Sequence, residues 1–218
     1  MYQYILGIAK KWVSAPFGAD GWRLDVAADL GRSAGMNHQF WRDFRAAVKE
    51  ANPEAVMIAE HYGSPYDWLK GDQWDTVMNY PFYLNLIDLL ADEKINVSQF
   101  IQNLGYLKGR LNKKCYPLMW NLIDSHDTAR FLHLCDDNKK KQHLAAAFQL
   151  LLPGMPMIYY GDEFAMPGAN DPDCRRGMYW DEEYQDKDMF EWYKQLLKVR
   201  KNHACIVEGE PLEIAARD

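Results

Sequence analysis

Residues 21–60 read G-W-R-L-D-V-A-A-D-L-G-R-S-A-G-M-N-H-Q-F-W-R-D-F-R-A-A-V-K-E-A-N-P-E-A-V-M-I-A-E, a strand, a helix and a second strand. Trp22–Val26 is a short strand candidate. Asn37–Ala51 gathers apolar and aromatic residues on one helical face, and Asn52-Pro53 stops the helix. Ala55–Ala59 (A-V-M-I-A) is uninterrupted and apolar, as a strand covered on both faces must be. Each strand meets a carboxylate: Asp25 follows W-R-L, and Glu60 follows M-I-A.

The rhythm continues outward from this unit. Thr76–Asn79, Pro117–Ile123 and Met155–Tyr160 read as strands. Helical patterns cover about Pro81–Ala91, Val97–Leu111, Lys139–Leu152 and Asp188–His203. Strands alternating with helices predict an α/β fold with a parallel sheet, open or closed into a barrel. A third carboxylate, Asp127, follows L-I-D-S-H after the fourth strand. In a parallel barrel the C-terminal strand ends share one face, so three groups far apart in sequence can serve one site.

Composition excludes several classes. The chain has 218 residues, 48% hydrophobic and 26% charged, which suits one soluble domain with a substantial core. A net charge of −6 argues against general affinity for nucleic acid or anionic membrane, and Lys139, Lys140 and Lys141 read as a solvated helix start. No apolar run approaches membrane-spanning length, and no secretory signal is visible at the N-terminus, so the expected compartment is cytoplasmic. Cys115, Cys135, Cys174 and Cys205 are widely spaced, which predicts reduced thiols and no metal site, and no cofactor is expected. Aromatic residues make up 14% of the chain and suit sugar stacking as well as a plain core.

A lone carboxylate at a strand end is more often a helix cap or an ion-pair partner than a catalyst. Arg23 lies two residues before Asp25, on the same side of the strand, and either pairs with it structurally or holds it ionised for chemistry. His126, beside Asp127, reads alone as a loop histidine. Three strand ends of the same chemistry are harder to set aside. Asp162 and Glu163, after the fifth strand, read as structural support. Trp68, Tyr80 and Trp180 are open between sugar stacking and packing.

G-W-R-L-D-V-A at 21–27, M-I-A-E-H at 57–61 and N-L-I-D-S-H-D-T-A-R at 121–130 resemble three motifs of the α-amylase family of glycoside hydrolases, in the family's order. G-D-Q-W-D-T-V-M-N-Y-P-F at 71–82 and P-G-M-P-M-I-Y-Y-G-D-E at 153–163 extend the likeness. N-D-P-D-C-R at 170–175 is similar to the neopullulanase, cyclomaltodextrinase and maltogenic amylase subgroup. The resemblance implies a retaining α-glucan hydrolase. Asp25 would be the nucleophile, Glu60 the acid and base, and Asp127 the ligand of the distorted sugar's hydroxyls. Two such carboxyl groups stand about 5–5.5 Å apart. Arg23 would compensate the charge of Asp25 and leave Glu60 less compensated. His126 would bond the sugar at the cleavage point. Asp171 and Arg175 would bind the next sugar, or form an internal ion pair of their loop.

The resemblance also implies a partial (β/α)8 TIM barrel, about strands 4 to 8, over residues 1–203, with 204–218 leading into a C-terminal β-domain. Five strands do not close an eight-stranded barrel. The isolated chain is therefore expected to be weak or inactive, and self-association or a separate N-terminal half would cover the open edges. Two departures, V-A-A-D-L-G after Asp25 and His61-Tyr62 after Glu60, lie near acceptor subsites. They leave open a transglycosylase, which hands the same intermediate to a sugar instead of water. A non-catalytic binding relative is the third reading, disfavoured by the presence of all three carboxylates.

Overall fold

A computed structural model of the chain describes residues 1–209 apart from Arg32 and Asn112. The backbone divides into two compact units, one of Met1–Met78 with Arg110–Met119, the other of Asn79–Gly109 with the chain from Trp120 onward.

In the first unit, α1 (Tyr2–Val13) packs on α2 (Ala34–Ala51), with Tyr2 edge-on to Phe40 at 5.5 Å between ring centroids. The α1 segment carries no strong helix signal at its start and was not anticipated from the sequence pattern. Ser33 caps α2 by accepting the Met36 N–H, and the helix ends at Asn52, as Asn52-Pro53 predicts. A parallel sheet runs β1 (Gly21–Leu24), β2 (Val56–Ala59), β3 (Thr76–Val77), in that order. Gly21 faces Val56, Arg23 faces Ile58, and Leu24 faces Ala59. Side chains alternate across the sheet. Trp22 donates its indole N–H to Ala9 O of α1 at 3.1 Å and lies against Phe44 of α2, so Arg23 and Asp25 point to the opposite face. Asp75 ties β2 down: it accepts the Met57 N–H at 2.9 Å and pairs with Arg45 and Lys49 of α2.

The second unit begins with α3 (Tyr80–Leu90), capped by Asn79, which accepts the Phe82 N–H. Helix α4 (Val97–Arg110) follows. Strands β4 (Trp120–Asn121) and β5 (Met155–Pro156) pair in parallel, separated in sequence by α5 (Phe131–Leu134) and α6 (Lys139–Leu151). Helix α7 (Lys187–Asn202) is capped by Asp186, and α8 (Ala204–Glu208) is a short last turn. Phe82, Leu86, Phe100, Ile123 and Phe131 form one core cluster; Leu132, Leu150, Met189 and Tyr193 belong to a second.

Helix positions agree with the sequence reading to within a few residues at each end. The strands are shorter than the apolar runs that predict them. Residues 117–123 contain a 3-10 turn at Tyr116–Leu118 and only two ladder residues, because Leu122 and Ile123 are buried by packing and not by pairing. Of the segment 204–218 assigned as a lead into another domain, 210–218 lie outside the described residues.

Candidate functional site

Asp25 and Glu60 each follow the last residue of adjacent parallel strands. The ladder continues through them: Glu60 N–H donates to Leu24 O at 2.8 Å, and Ala27 N–H donates to Glu60 O at 3.2 Å. Parallel strands lie about 4.8 Å apart, so two residues in step on one face are neighbours. Arg23, two residues back on that face, completes the group. Its Nη1 donates to Asp25 Oδ1, and its Nη2 reaches Glu60 Oε1 at 3.1 Å.

The two carboxylates sit in different surroundings. The Asp25 side chain is 73% exposed, whereas that of Glu60 is 5% exposed. Glu60 Oε2 accepts the Val26 N–H at 2.9 Å. Val26 is held at φ 42, ψ 43, a left-handed conformation that a β-branched residue rarely adopts. The sequence reading is corrected on one point. Arg23 does not serve Asp25 alone; it bridges both carboxylates, so Glu60 is not the less compensated partner.

Next to Glu60, His61 lies against Trp68 and Trp74, and burial pushes its imidazole below the usual histidine range. Trp68 stacks on Trp74 at 4.9 Å and donates its indole N–H to Asn37, which settles it as packing on the ring face that Trp74 covers. A cleft of about 520 Å³ opens between α1 and α2, lined by Leu6, Lys10, Asp43, Ala47 and Glu50; neither carboxylate lines it.

In the second unit Asp127 belongs to a turn after β4, not to a strand. Ser125 Oγ accepts the Asp127 N–H at 3.2 Å, and Thr128 Oγ1 accepts the Ser125 N–H at 2.9 Å. Asp127 is flanked by a histidine and an arginine. His126 Nε2 is 3.1 Å from its Oδ2, and Arg175 Nη2 donates to its Oδ1 at 3.0 Å. Arg175 Nε pairs with Asp171 Oδ1 at 2.7 Å. The loop ion pair anticipated for Asp171 and Arg175 is therefore present, and Arg175 extends it to Asp127.

Tyr80 is fully buried at the start of α3 with its hydroxyl 3.3 Å from Ser125 Oγ, a packing role. Trp180 is 82% exposed. Asp162 is a buried ion-pair partner of Arg130, in line with structural support, and Glu163 accepts the Gly161 N–H. Sequence reasoning gave Arg130 no role; it stands at the end of the N-L-I-D-S-H-D-T-A-R motif, directly before α5. Among the described residues, no group of three or more His, Cys, Asp or Glu side chains is arranged to hold a metal ion, and no helix is long and apolar enough to cross a membrane.

Residues 1–186 match the family model described as the alpha amylase catalytic domain. The chain is 42% identical over 207 residues to a protein named Neopullulanase 2 from Thermoactinomyces vulgaris, covering 95% of this chain and 34% of that protein. It is likewise 42% identical over 207 residues to a Cyclomaltodextrinase from a Bacillus species, covering 95% of this chain and 36% of that one. Among solved structures, the cyclic alpha-maltosyl-(1→6)-maltose hydrolase of Arthrobacter globiformis superposes with a TM-score of 0.92 at 33% identity, covering 99% of this chain and 47% of that one. The chain thus spans about a third of the length of the curated relatives it matches. With the family model covering most of its length, this chain belongs to the alpha-amylase family.

Proposed function

We propose that the protein to which these residues belong is a retaining α-glucan hydrolase, acting on maltodextrin, cyclodextrin or pullulan-type substrates, and that Asp25 and Glu60 are its nucleophile and its acid–base group. The observation that carries the reading is Arg23 bridging both carboxylates at the C-terminal ends of adjacent parallel strands. Two groups held on one guanidinium suit the separation of about 5–5.5 Å that a covalent glycosyl-enzyme route needs.

In this mechanism Asp25 attacks the anomeric carbon as the glycosidic C–O bond breaks, and Glu60 delivers its proton to the departing oxygen. Water then attacks the same carbon, Glu60 takes the water's proton, and Asp25 leaves as carboxylate. Glu60 here accepts from Arg23 and from the Val26 N–H, one at each oxygen. A carboxyl oxygen that carries the acid proton accepts more weakly, so substrate entry is expected to loosen one of these contacts. Asp127 and His126 would hold hydroxyls of the sugar being cleaved, and Asp171 and Arg175 the adjoining one. The family likeness supplies those roles, and the Arg175–Asp127 pair supports them.

The same reading takes residues 1–203 as about strands four to eight of the barrel and 204–218 as the lead into a further β-domain. The remaining barrel would come from an N-terminal half or a second copy. The test compares reducing-end release from a maltooligosaccharide by the chain and by Asp25→Asn. Loss of at least about 1,000-fold in the variant is expected; equal release by both would sink the assignment of the nucleophile. Should neither release sugar, residues 12–203 are placed into a full-length relative's barrel. An inactive chimera would then reject the catalytic reading outright.

A further inference from the structure

We propose that Arg130 is a positioning residue, a buried clamp that fastens the 160–176 loop so that Arg175 reaches Asp127. The proposal rests on the reading of Asp127 and Arg175 as sugar-binding groups.

A guanidinium taken out of water is costly unless its donors are used. Arg130 is 1% exposed; two of its three side-chain nitrogens, Nη1 and Nε, donate to the loop, and Nη2 finds no partner among the described residues. Nη1 donates to Tyr160 O at 2.6 Å and contacts Asp162 Oδ1 at 3.2 Å, at the loop's beginning. The Arg130 N–H donates to Gly168 O at 2.9 Å, in its middle. Nε donates to Cys174 O at 3.1 Å, next to Arg175. The guanidinium plane lies 4.0 Å from the Tyr159 ring centroid and 4.7 Å from that of Tyr160. Three hydrogen bonds from one planar head, together with its stacking on two rings, exceed what a lysine's point charge supplies.

The loop's far end is fixed to the Asp127 turn from the same side. Cys174 Sγ donates to His126 O at 3.4 Å, and Arg175 pairs with Asp127 at 3.0 Å. Exposed ion pairs contribute little on their own, so an Arg175 at 45% side-chain exposure depends on a backbone already held in place. Gly168 marks how close the fit is: a Cβ there would meet Asp173 O at 2.9 Å, Cys174 Cα at 3.0 Å and Arg130 Cγ at 3.1 Å.

The alternative is that Arg130 merely supports the core of its unit. The cysteines separate the two. Cys174 belongs to the loop and is buried, Cys135 is buried in the core cluster with Phe131, and Cys205 is exposed. Alkylation by iodoacetamide, followed by peptide mass mapping of the full chain, reads all three. Arg130→Lys is expected to speed Cys174 labelling by about 10-fold or more, with Cys135 still protected. Labelling of Cys174 unchanged from the parent would overturn the proposal. If Arg130→Lys releases Cys135 as well, Gly168→Ala decides: it keeps the charge and wedges the loop. Joint release of both cysteines there too would make Arg130 a general support and end the idea.

Maltotriose titration supplies the functional arm. Arg130→Lys should weaken binding about as much as Arg175→Ala, and the double variant should be no weaker than either. Additive losses would count against the clamp. A parent chain that binds no maltotriose would count against the sugar-binding reading, with the thiol experiment still deciding the clamp.

Discussion

The two carboxylate sites are built in opposite ways. Asp25 and Glu60 stand at the ends of β1 and β2, where backbone hydrogen bonds set the register and one arginine from the same strand links the pair. Asp127 sits in a turn, and side chains fetched from the 160–176 loop set its surroundings. A site positioned by a ladder tolerates loss of side-chain contacts but not a change in strand spacing. One positioned by side chains shows the reverse.

The sharpest way to break the first half of this contrast is Gly21→Ala. A Cβ at Gly21 would collide with the carbonyl oxygen and nitrogen of Val56, the residue it faces across the ladder. Both colliding atoms are backbone, so relief requires the strands to part. The expected cost is about 2–4 kcal/mol, at the upper end for overpacking. Urea unfolding followed by labelling of Cys115, which is buried in the same unit, should show its midpoint fall. An unmoved midpoint would mean that the register of β1 against β2 is not what holds Asp25 and Glu60 in step.

The second half is tested by pH. Asp124 and Asp162 are both buried with Arg130, and Asp124 Oδ1 and Asp162 Oδ2 receive no donor from a neighbouring group. One proton held between them satisfies both. Burial raises the Asp124 carboxyl to about 6, and burial with the neighbouring Asp124 charge lifts Asp162 well above the usual carboxylate range. The folded state therefore binds more protons than the unfolded chain from the unfolded value near 3.8 to about 6 at Asp124, and above that at Asp162. Stability conferred by the protonated pair is complete below that window and declines as pH rises through it. Asp124→Asn supplies a permanent donor and should flatten the pH dependence of the urea midpoint between pH 4 and 6. A slope that persists in the variant would place the proton elsewhere.

How far the sequence disclosed each region follows from the same difference. Strand-end carboxylates can be read from an apolar run that stops at a charge, and so Asp25, Glu60 and the side shared by Arg23 and Asp25 were legible. That Arg23 would hold both carboxylates was not, because it depends on which strand pairs with β1. Arg130 was quoted within a motif yet had no visible task, since its partners Tyr160, Gly168 and Cys174 are 30 to 44 residues away and three of its four contacts are to backbone oxygens. Main-chain acceptors carry no residue code. The ambiguity of Trp68 and Tyr80 had the same origin: aromatic identity does not say which face is covered.

A finer probe of the ladder-built site is the strain it retains. Among the described residues, five non-glycine residues have positive φ: Val26, Glu93, Asp136, Asp137 and Ala165. Aspartate tolerates the left-handed region through its short polar side chain, but valine does not, and the conformation costs such a residue about 1–2 kcal/mol. Val26 is also more than half exposed, so packing offsets little of that. What the conformation does is aim the Val26 N–H at Glu60 Oε2. Val26→Asn should keep that hydrogen bond and relieve the strain, raising stability by about 0.5–1 kcal/mol in the urea midpoint. A fall would mean that the valine side chain, and not the backbone around it, supports the turn. A rise with unaltered sugar cleavage would show that the site needs the N–H in this place and nothing from the side chain that carries the strain.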